Sequence, residues 1–343
     1  MLLASAHGDV DVVMLLIDKG ILTADDVVRP GVTVRSGARR NRHTRIEFPD
    51  GTGLFVKRPE PRSPSSAETL VSEGRFYLRH GALDGALARL VDFDPSSATL
   101  VLELLSRHRN LRDVCLRGGI EAFPIAAFRA AARALARVHA LPADGPPVVR
   151  SIEWVTGLYR PGPEILGSIG PGGLVLLEMI QASPTIGAGL ARLGDMWRPE
   201  AVIHGDVRAD NIMVRTAAGQ PMDLRVIDWE LSQTGDPAWD VAGLFEAAVS
   251  LAGPDTPGGL PVIQATCRGL FTTYVSARGL TSGKRRDLRR TVMVYCAARI
   301  VQSVMETSAR ADAVSSDALV LMQLAENILD EPARAATSFF ALP

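Results

Sequence analysis

His204-Gly205-Asp206-Val207-Arg208-Ala209-Asp210-Asn211 and, further on, Ile227-Asp228-Trp229-Glu230 place two carboxylates and a carboxamide in a fixed order. Phosphoryl transfer from ATP needs that set: one Asp accepts or orients the proton of the acceptor hydroxyl, while an Asn and a second Asp hold the metal ions that neutralise the phosphates. Asp206 and Asn211 are five residues apart and can face one pocket from opposite ends of a tight turn. Asp228 arrives at the end of a strand expected over 224–227, after the apolar segment Ile212-Met213-Val214 and a turn at 217–221. A lone His-Gly-Asp would carry little, because Asp and Asn in turns usually satisfy local backbone groups. The information lies in the ordered series of loop, strand, turn, strand and Asp. Asp206 is the candidate catalytic base. Asn211, also in the catalytic loop, and Asp228 are the candidate ligands of Mg²⁺, a cation that takes few carboxylates beside phosphate oxygens and water. His204 completes the candidate catalytic set, with organisation of the loop as its alternative role. Arg208 is either a γ-phosphate contact or half of a surface pair, Glu230 either near the metal or a turn cap, and Asp240 either a loop anchor or a helix N-terminal charge.

These residues need elements to hold them. The stretches 32–34, 44–48 and 54–57 are strand-like, and Asp50-Gly51-Thr52-Gly53 is a strong hairpin turn. A Pro/Ser-rich loop over 59–66 leads into a helix predicted over 67–80, and strands are expected at 91–93 and 99–105. Together they make a five-stranded antiparallel sheet with one helix. After Leu105 the pattern becomes mainly helical, with helices predicted over 123–140, 174–193 (broken at Pro184), 240–252, 261–278, 285–306 and 317–329. Residues 141–173 are rich in Pro and Gly and read as a loop that shapes the acceptor pocket. Residues 1–28 read as short helices, with Thr23 and Asp26 as a capped turn.

Composition sets bounds. The 343 residues are 47% hydrophobic and 22% charged, enough for a large core and two lobes. A net charge of −1 implies no bulk attraction to nucleic acid or membrane. Cys115, Cys267 and Cys296 are widely separated, which fits a reducing cytoplasm. No basic leader and no uncharged run of 18 apolar residues is present, so neither a signal peptide nor a membrane span is expected. Only Lys19, Lys57 and Lys284 are lysines among 37 basic residues. A lysine kept in such a background points to a need for a compact ammonium.

The motif stretch resembles the catalytic and metal-binding loops of the aminoglycoside phosphotransferase and choline kinase family, a distant branch of the protein kinase-like fold with HGD in place of HRD and DWE in place of DFG. Gly235-Asp236-Pro237-Ala238-Trp239-Asp240 is also similar to that family, where it starts the helix after the metal-binding loop. The resemblance covers about 32–305. It implies an α+β, bilobal protein kinase-like fold: a helical extension over 1–30, a small nucleotide-binding N-lobe over 31–105, and a large, mainly helical C-lobe over 106–343. It implies ATP, or another nucleoside triphosphate, with Mg²⁺. Lys57 is then the strand lysine that contacts the α- and β-phosphates and pairs with a helix Glu. Glu73 fits that role better than Glu68. No GxGxxG is present; Gly37 offers a tight turn between the first two strands, with Arg39, Arg40 and Arg42 adding charge over the triphosphate or forming a solvated basic hairpin. Backbone groups near Glu103 and Leu105 would read adenine at an interlobe hinge.

The acceptor is less determined. Lys284-Arg285-Arg286 and Arg289-Arg290 disfavour a polycationic sugar. Leu15-Leu16-Ile17-Asp18-Lys19-Gly20-Ile21-Leu22 with Arg39-Arg40-Asn41-Arg42 resembles phosphotransferase-like proteins of ribosomal (lanthipeptide or thioamide) peptide pathways. That resemblance implies Ser or Thr of a precursor peptide as acceptor and a lyase as partner. A small-molecule kinase for an antibiotic, sugar or amino alcohol is the alternative, and a binding-only pseudokinase is a third reading.

Overall fold

A computed structural model describes residues 2–38, 41–61, 63–81, 83, 85–143, 150–217 and 219–340. The chain forms two compact units, Met1–Arg109 with Met213–Ser232, and Asn110–Ile212 with Gln233–Pro343.

The first unit is built on β1 (Thr33–Ala38), β2 (Arg42–Glu47), β3 (Gly53–Arg58), β4 (Leu90–Asp94) and β5 (Thr99–Glu103), an antiparallel sheet in the order β1-β2-β3-β5-β4. The β2–β3 turn forms where its residues predict. Asp50 Oδ1 accepts hydrogen bonds from the Thr52 N–H (2.8 Å) and hydroxyl (2.6 Å), and Gly51 takes a φ of +79°. One face of the sheet is covered by the helix Leu2–Asp18, longer than the short helices expected there. Its Val12 and Leu16, with Leu22, pack on Ile46, Leu54, Val56 and Val101. Each such buried side chain contributes roughly 1.5–3 kcal/mol relative to exposure. The following turn, Ala24–Val28, carries the predicted capping box, with Thr23 and Asp26 bonded reciprocally. The helix Pro64–His80 starts with Pro in its first turn, where the missing N–H costs nothing.

Residues 213–232 group with this unit because the hairpin Ile212–Arg215/Asp223–Val226 is tied to it. Val226 bridges Leu87, and its N–H donates to the Ala86 carbonyl at 2.8 Å. Trp229 is fully buried and stacks on Phe76, ring centroids 4.1 Å apart.

The second unit is helical around one short ladder, Ala201–Ile203 antiparallel to Gln233–Gly235. The helix Pro237–Ala252 is its axis, buried on nearly every face, as its almost uncharged sequence requires. Ile125–Val138 lays its Ala-rich face on Gly259–Ala277. Ser282–Ser308, Ser316–Asp330 and Pro332–Phe340 complete the layer. The expected loop at 141–173 is corrected: it contains the helices Arg150–Gly157 and Pro163–Ser168, and Pro171 opens Pro171–Ala182. Pro163 and Pro171 start helices rather than break them. Cys115, Cys267 and Cys296 are buried free thiols. Among the described residues no single helix is long and apolar enough to cross a membrane, and the one pair that reaches the length, Pro171–Ala182 with Pro184–Ala191, is bent by 87°.

Candidate active site

In the first unit Lys57 extends from β3, between β2 and β5, into a buried position. Its ammonium donates to both carboxylate oxygens of Glu73, at 2.9 and 2.8 Å, and to Oδ1 of Asp228 at 2.6 Å. The helix Pro64–His80 turns Glu73 inward to full burial and leaves Glu68 exposed, so Glu73 is the partner of Lys57. Burial alone would lower the Lys57 pKa, but the charges of Glu73 and Asp228 more than offset it and hold the proton on the amine. Burial pushes Glu73 up to about 7, with Asp228 and Glu230 adding to the rise and Lys57 opposing it. The bidentate contact to the retained ammonium opposes that rise.

Asp228 takes φ +70° and ψ +56°, the left-handed region, which a non-glycine residue enters at a cost. The neighbouring Trp229 holds it there: its ring is wedged on Phe76 and its indole N–H donates to the Val226 carbonyl at 2.9 Å. Glu230 accepts from the Asn41 amide at 3.1 Å, and Asn41 in turn accepts from the Ser66 hydroxyl at 2.5 Å. The β1–β2 connection is thereby pinned to the Asp-Trp-Glu segment. Asn41 was passed over in the sequence among the arginines that surround it.

Gly37 does not form the turn expected of it. It is a β1 residue opposite His43, and a Cβ there would lie 2.7 Å from the imidazole Nε2, so the glycine makes room for that ring. Arg39 and Arg40 lie outside the described residues. Arg42 stands directly across from Arg58; burial and then Arg42 depress the Arg58 pKa, and the charge of Asp11 opposes them. At the expected hinge the Glu103 N–H is already bonded to the Arg89 carbonyl (2.9 Å), and the Leu105 carbonyl accepts from His108 (3.1 Å). Those two groups are bonded within the unit.

In the second unit, the strand Ala201–Ile203 delivers His204, Gly205 and Asp206. Gly205 takes φ +84°, which suits glycine alone among these residues. Asp240, wholly buried on the helix Pro237–Ala252, accepts the His204 N–H (2.6 Å), the Gly205 N–H (3.0 Å) and His139 Nε2 (3.0 Å), and His139 Nδ1 meets the Tyr274 hydroxyl at 2.8 Å. Burial raises the Asp240 pKa, but the bond and charge of His139 and then His204 outweigh it and bring it below the ordinary value. Of its two expected roles, anchoring the loop is the one its contacts show. The buried His204 ring accepts the Asp206 N–H at 3.2 Å, an organising contact.

The Asp206 carboxylate is half-buried. Both terminal nitrogens of Arg299 lie 3.3 Å from its Oδ1, and Arg208 Nε lies 3.4 Å away. Arg299 is 1% exposed, donates to the Val207 carbonyl at 2.7 Å, and stacks over Trp239 with its guanidinium carbon 5.2 Å from the ring. Arg208 also pairs with Glu306. Asn211, on a short 3₁₀ turn, donates its amide to the Asp206 carbonyl at 3.1 Å, which directs its side-chain oxygen the other way. Arg299 escaped the sequence reading, although a signal exists: it is the only charged residue between Thr291 and Glu306.

Residues 31–280 match the model of the phosphotransferase enzyme family. The chain belongs to that family. No curated protein matches it. Among solved structures, a choline/ethanolamine kinase family protein from Mesorhizobium loti superposes with a TM-score of 0.53 at 14% identity, covering 95% of this chain and 100% of its own. An ethanolamine kinase from Plasmodium vivax gives 0.58 at 12%, covering 93% and 86%. The GDP complex of aminoglycoside 2'-phosphotransferase-IIIa gives 0.53 at 15%, covering 93% and 98%. At these identities the likeness establishes the protein kinase-like fold. The family member described here is therefore a phosphotransferase whose reaction must be argued from its own residues.

Proposed function

We propose that the protein transfers the γ-phosphate of ATP or GTP to a hydroxyl group of a small molecule. The observation that carries this reading is the pair of built carboxylate sites: Asp206 held by a buried arginine, and Asp228 held in left-handed backbone beside the Lys57–Glu73 ion pair. A protein that only bound a peptide or nucleotide would need neither.

Lys57 contacts the α- and β-phosphates, and Glu73 orients its ammonium. Asp206 accepts the proton of the attacking hydroxyl; with Oδ1 occupied by Arg299 and Arg208, Oδ2 is the oxygen that meets it. His204 and Asp240 keep the loop backbone in place, and Arg42 neutralises the triphosphate. Asn211 and Asp228 would hold Mg²⁺, which when bound neutralises the phosphate oxygens. Their oxygens are the hard donors this cation prefers. Among the described residues no cluster of three or more His, Cys, Asp or Glu side chains could hold a metal by itself, which suits an ion that completes its shell with phosphate and water.

The named relatives phosphorylate choline, ethanolamine or an aminoglycoside by their descriptions, and one is a GDP complex. They support small-molecule acceptors and either purine nucleotide. A precursor peptide and partner lyase find no support among them. The test is a screen of γ-labelled ATP and GTP with Mg²⁺ against choline, ethanolamine, aminoglycosides and simple sugars. Transfer to one class, absent in Asp206→Asn, supports the proposal. No transfer, no nucleotide hydrolysis and no thermal shift with Mg-ATP or Mg-GTP would overturn it.

A further inference from the structure

A second site lies in the helical unit, apart from the loop that carries Asp206. Here a cavity of about 770 Å³ opens between the ends of several helices. Five cationic side chains line it: Arg192, Arg198, Arg278, Lys284 and Arg290. They come from four separate segments of chain: the end of Pro184–Ala191, the loop before Ala201, the end of Gly259–Ala277, and the first turns of Ser282–Ser308. Three carboxylates, Glu200, Asp236 and Asp287, share the wall. Asp236 is committed elsewhere: it accepts the Ala238 and Arg198 N–H groups and the Tyr295 hydroxyl. Arg198 Nη1 is bonded to the Asp195 and Trp197 carbonyls, but among the described residues no ion pair joins Arg192, Lys284 or Arg290 to a carboxylate, and the cations of the wall outnumber its carboxylates.

The charge is also placed against local preference. The helix Ser282–Ser308 has no acidic residue in its first turn, yet Lys284, Arg285, Arg286, Arg289 and Arg290 crowd its N-terminal end, where cations oppose the helix dipole. Arg285 with Arg289 and Arg286 with Arg290 are like-charge neighbours one turn apart, which destabilises the helix further. Arg285 is bonded to the Leu280 carbonyl at 2.7 Å, whereas Lys284 and Arg290 face the cavity.

The cavity is separate from the candidate catalytic loop. Glu200 and Asp236 flank the Ala201/Gly235 end of the short ladder, whereas His204 follows Ile203 at the other end. Three residues of strand put roughly 10 Å between them.

We propose that this cavity binds a compact, multiply charged oxyanion, a phosphate ester or a polycarboxylate, through its four guanidinium groups and Lys284. Guanidinium forks match the oxygens of both ligand types, and the volume admits a metabolite-sized molecule. The proposal stands independently of the phosphotransfer reading.

The test is isothermal titration of the full chain in metal-free, low-salt buffer with sodium pyrophosphate in one arm and citrate in the other. Saturable binding by either anion is expected, and the tighter arm identifies phosphate or carboxylate as the ligand group. In Arg192→Gln/Lys284→Gln/Arg290→Gln, whose positions are exposed, Kd should rise at least about tenfold, the effect of losing charge-assisted hydrogen bonds. The control Arg117→Gln/Arg310→Gln/Arg334→Gln removes the same charge elsewhere on the unit and should bind as the wild type does. No binding of either anion, an unchanged Kd in the cavity variant, or an equal loss in the control would overturn the proposal.

Discussion

The two carboxylate clusters share their counter-charges in opposite ways. Around Lys57, one cation is shared by two carboxylates, Glu73 and Asp228. Around Asp206, one carboxylate is shared by two cations, Arg299 and Arg208. The first arrangement has negative charge in excess and suits a place where a divalent cation and an ammonium meet phosphates together. The second gives one carboxylate two guanidinium partners, of which Arg208 also pairs with Glu306, and so holds the carboxylate in aim. The supports differ in the same sense. Asp228 is held by strained backbone and an aromatic wedge, Asp206 by a buried guanidinium lying on Trp239. The different work proposed for the two Asp residues matches this difference in their surroundings.

The largest effect should come from the negative cluster. Asp228→Asn removes the carboxylate assigned to Mg²⁺ and should lower transfer by about 10³-fold or more, as expected for loss of a preorganised electrostatic element; Mg-nucleotide titration should show weakened metal dependence while the fold melts normally. Lys57→Met leaves Glu73 buried without its cation and should cost about 3–5 kcal/mol of stability by denaturant titration, besides activity. If Lys57→Met melts like the wild type, the ionic reading of the pair fails.

Within the Asp206 cluster, Arg299→Gln should reduce kcat by about 10–100-fold with little change in nucleotide KM, because it acts only through the aim of Asp206. Arg299→Lys should restore little, since a point ammonium cannot reach Asp206 and the Val207 carbonyl while lying flat on Trp239. A parallel rise in KM would assign Arg299 to ligand binding instead.

Much of this was legible because it is local. The Asp50-Gly51-Thr52-Gly53 turn and the Thr23/Asp26 capping box are specified by side chains that bond their own neighbours, so reading them needs no knowledge of the rest of the chain. The order of Lys57, Glu73, Asp206, Asn211 and Asp228 is likewise linear. What stayed hidden depends on distant packing. Gly37 reads as a turn residue until His43 is seen to cover it. Arg299 is 93 residues from Asp206, and only folding of Ser282–Ser308 brings them together. The helices within 141–173 were obscured because proline punctuates both helix starts and loops, and composition does not separate the two.

The smallest expected effect concerns pH. Asp240 has a folded pKa below its ordinary value of 3.8. Between the two values the unfolded chain binds a proton that the folded chain does not, so the stability Asp240 contributes is complete above 3.8 and is lost as pH falls through the lower folded value. Asp240→Asn should flatten that part of the acid-unfolding curve.

The central claim is that Asp206 is the base, with a role distinct from that proposed for the Lys57–Glu73–Asp228 cluster. It is tested by Asp206→Asn in single-turnover transfer, with Mg-nucleotide affinity measured on the same protein. Transfer reduced by about 10²–10⁴-fold at near wild-type affinity is the expected result. Transfer at the wild-type rate would contradict the account.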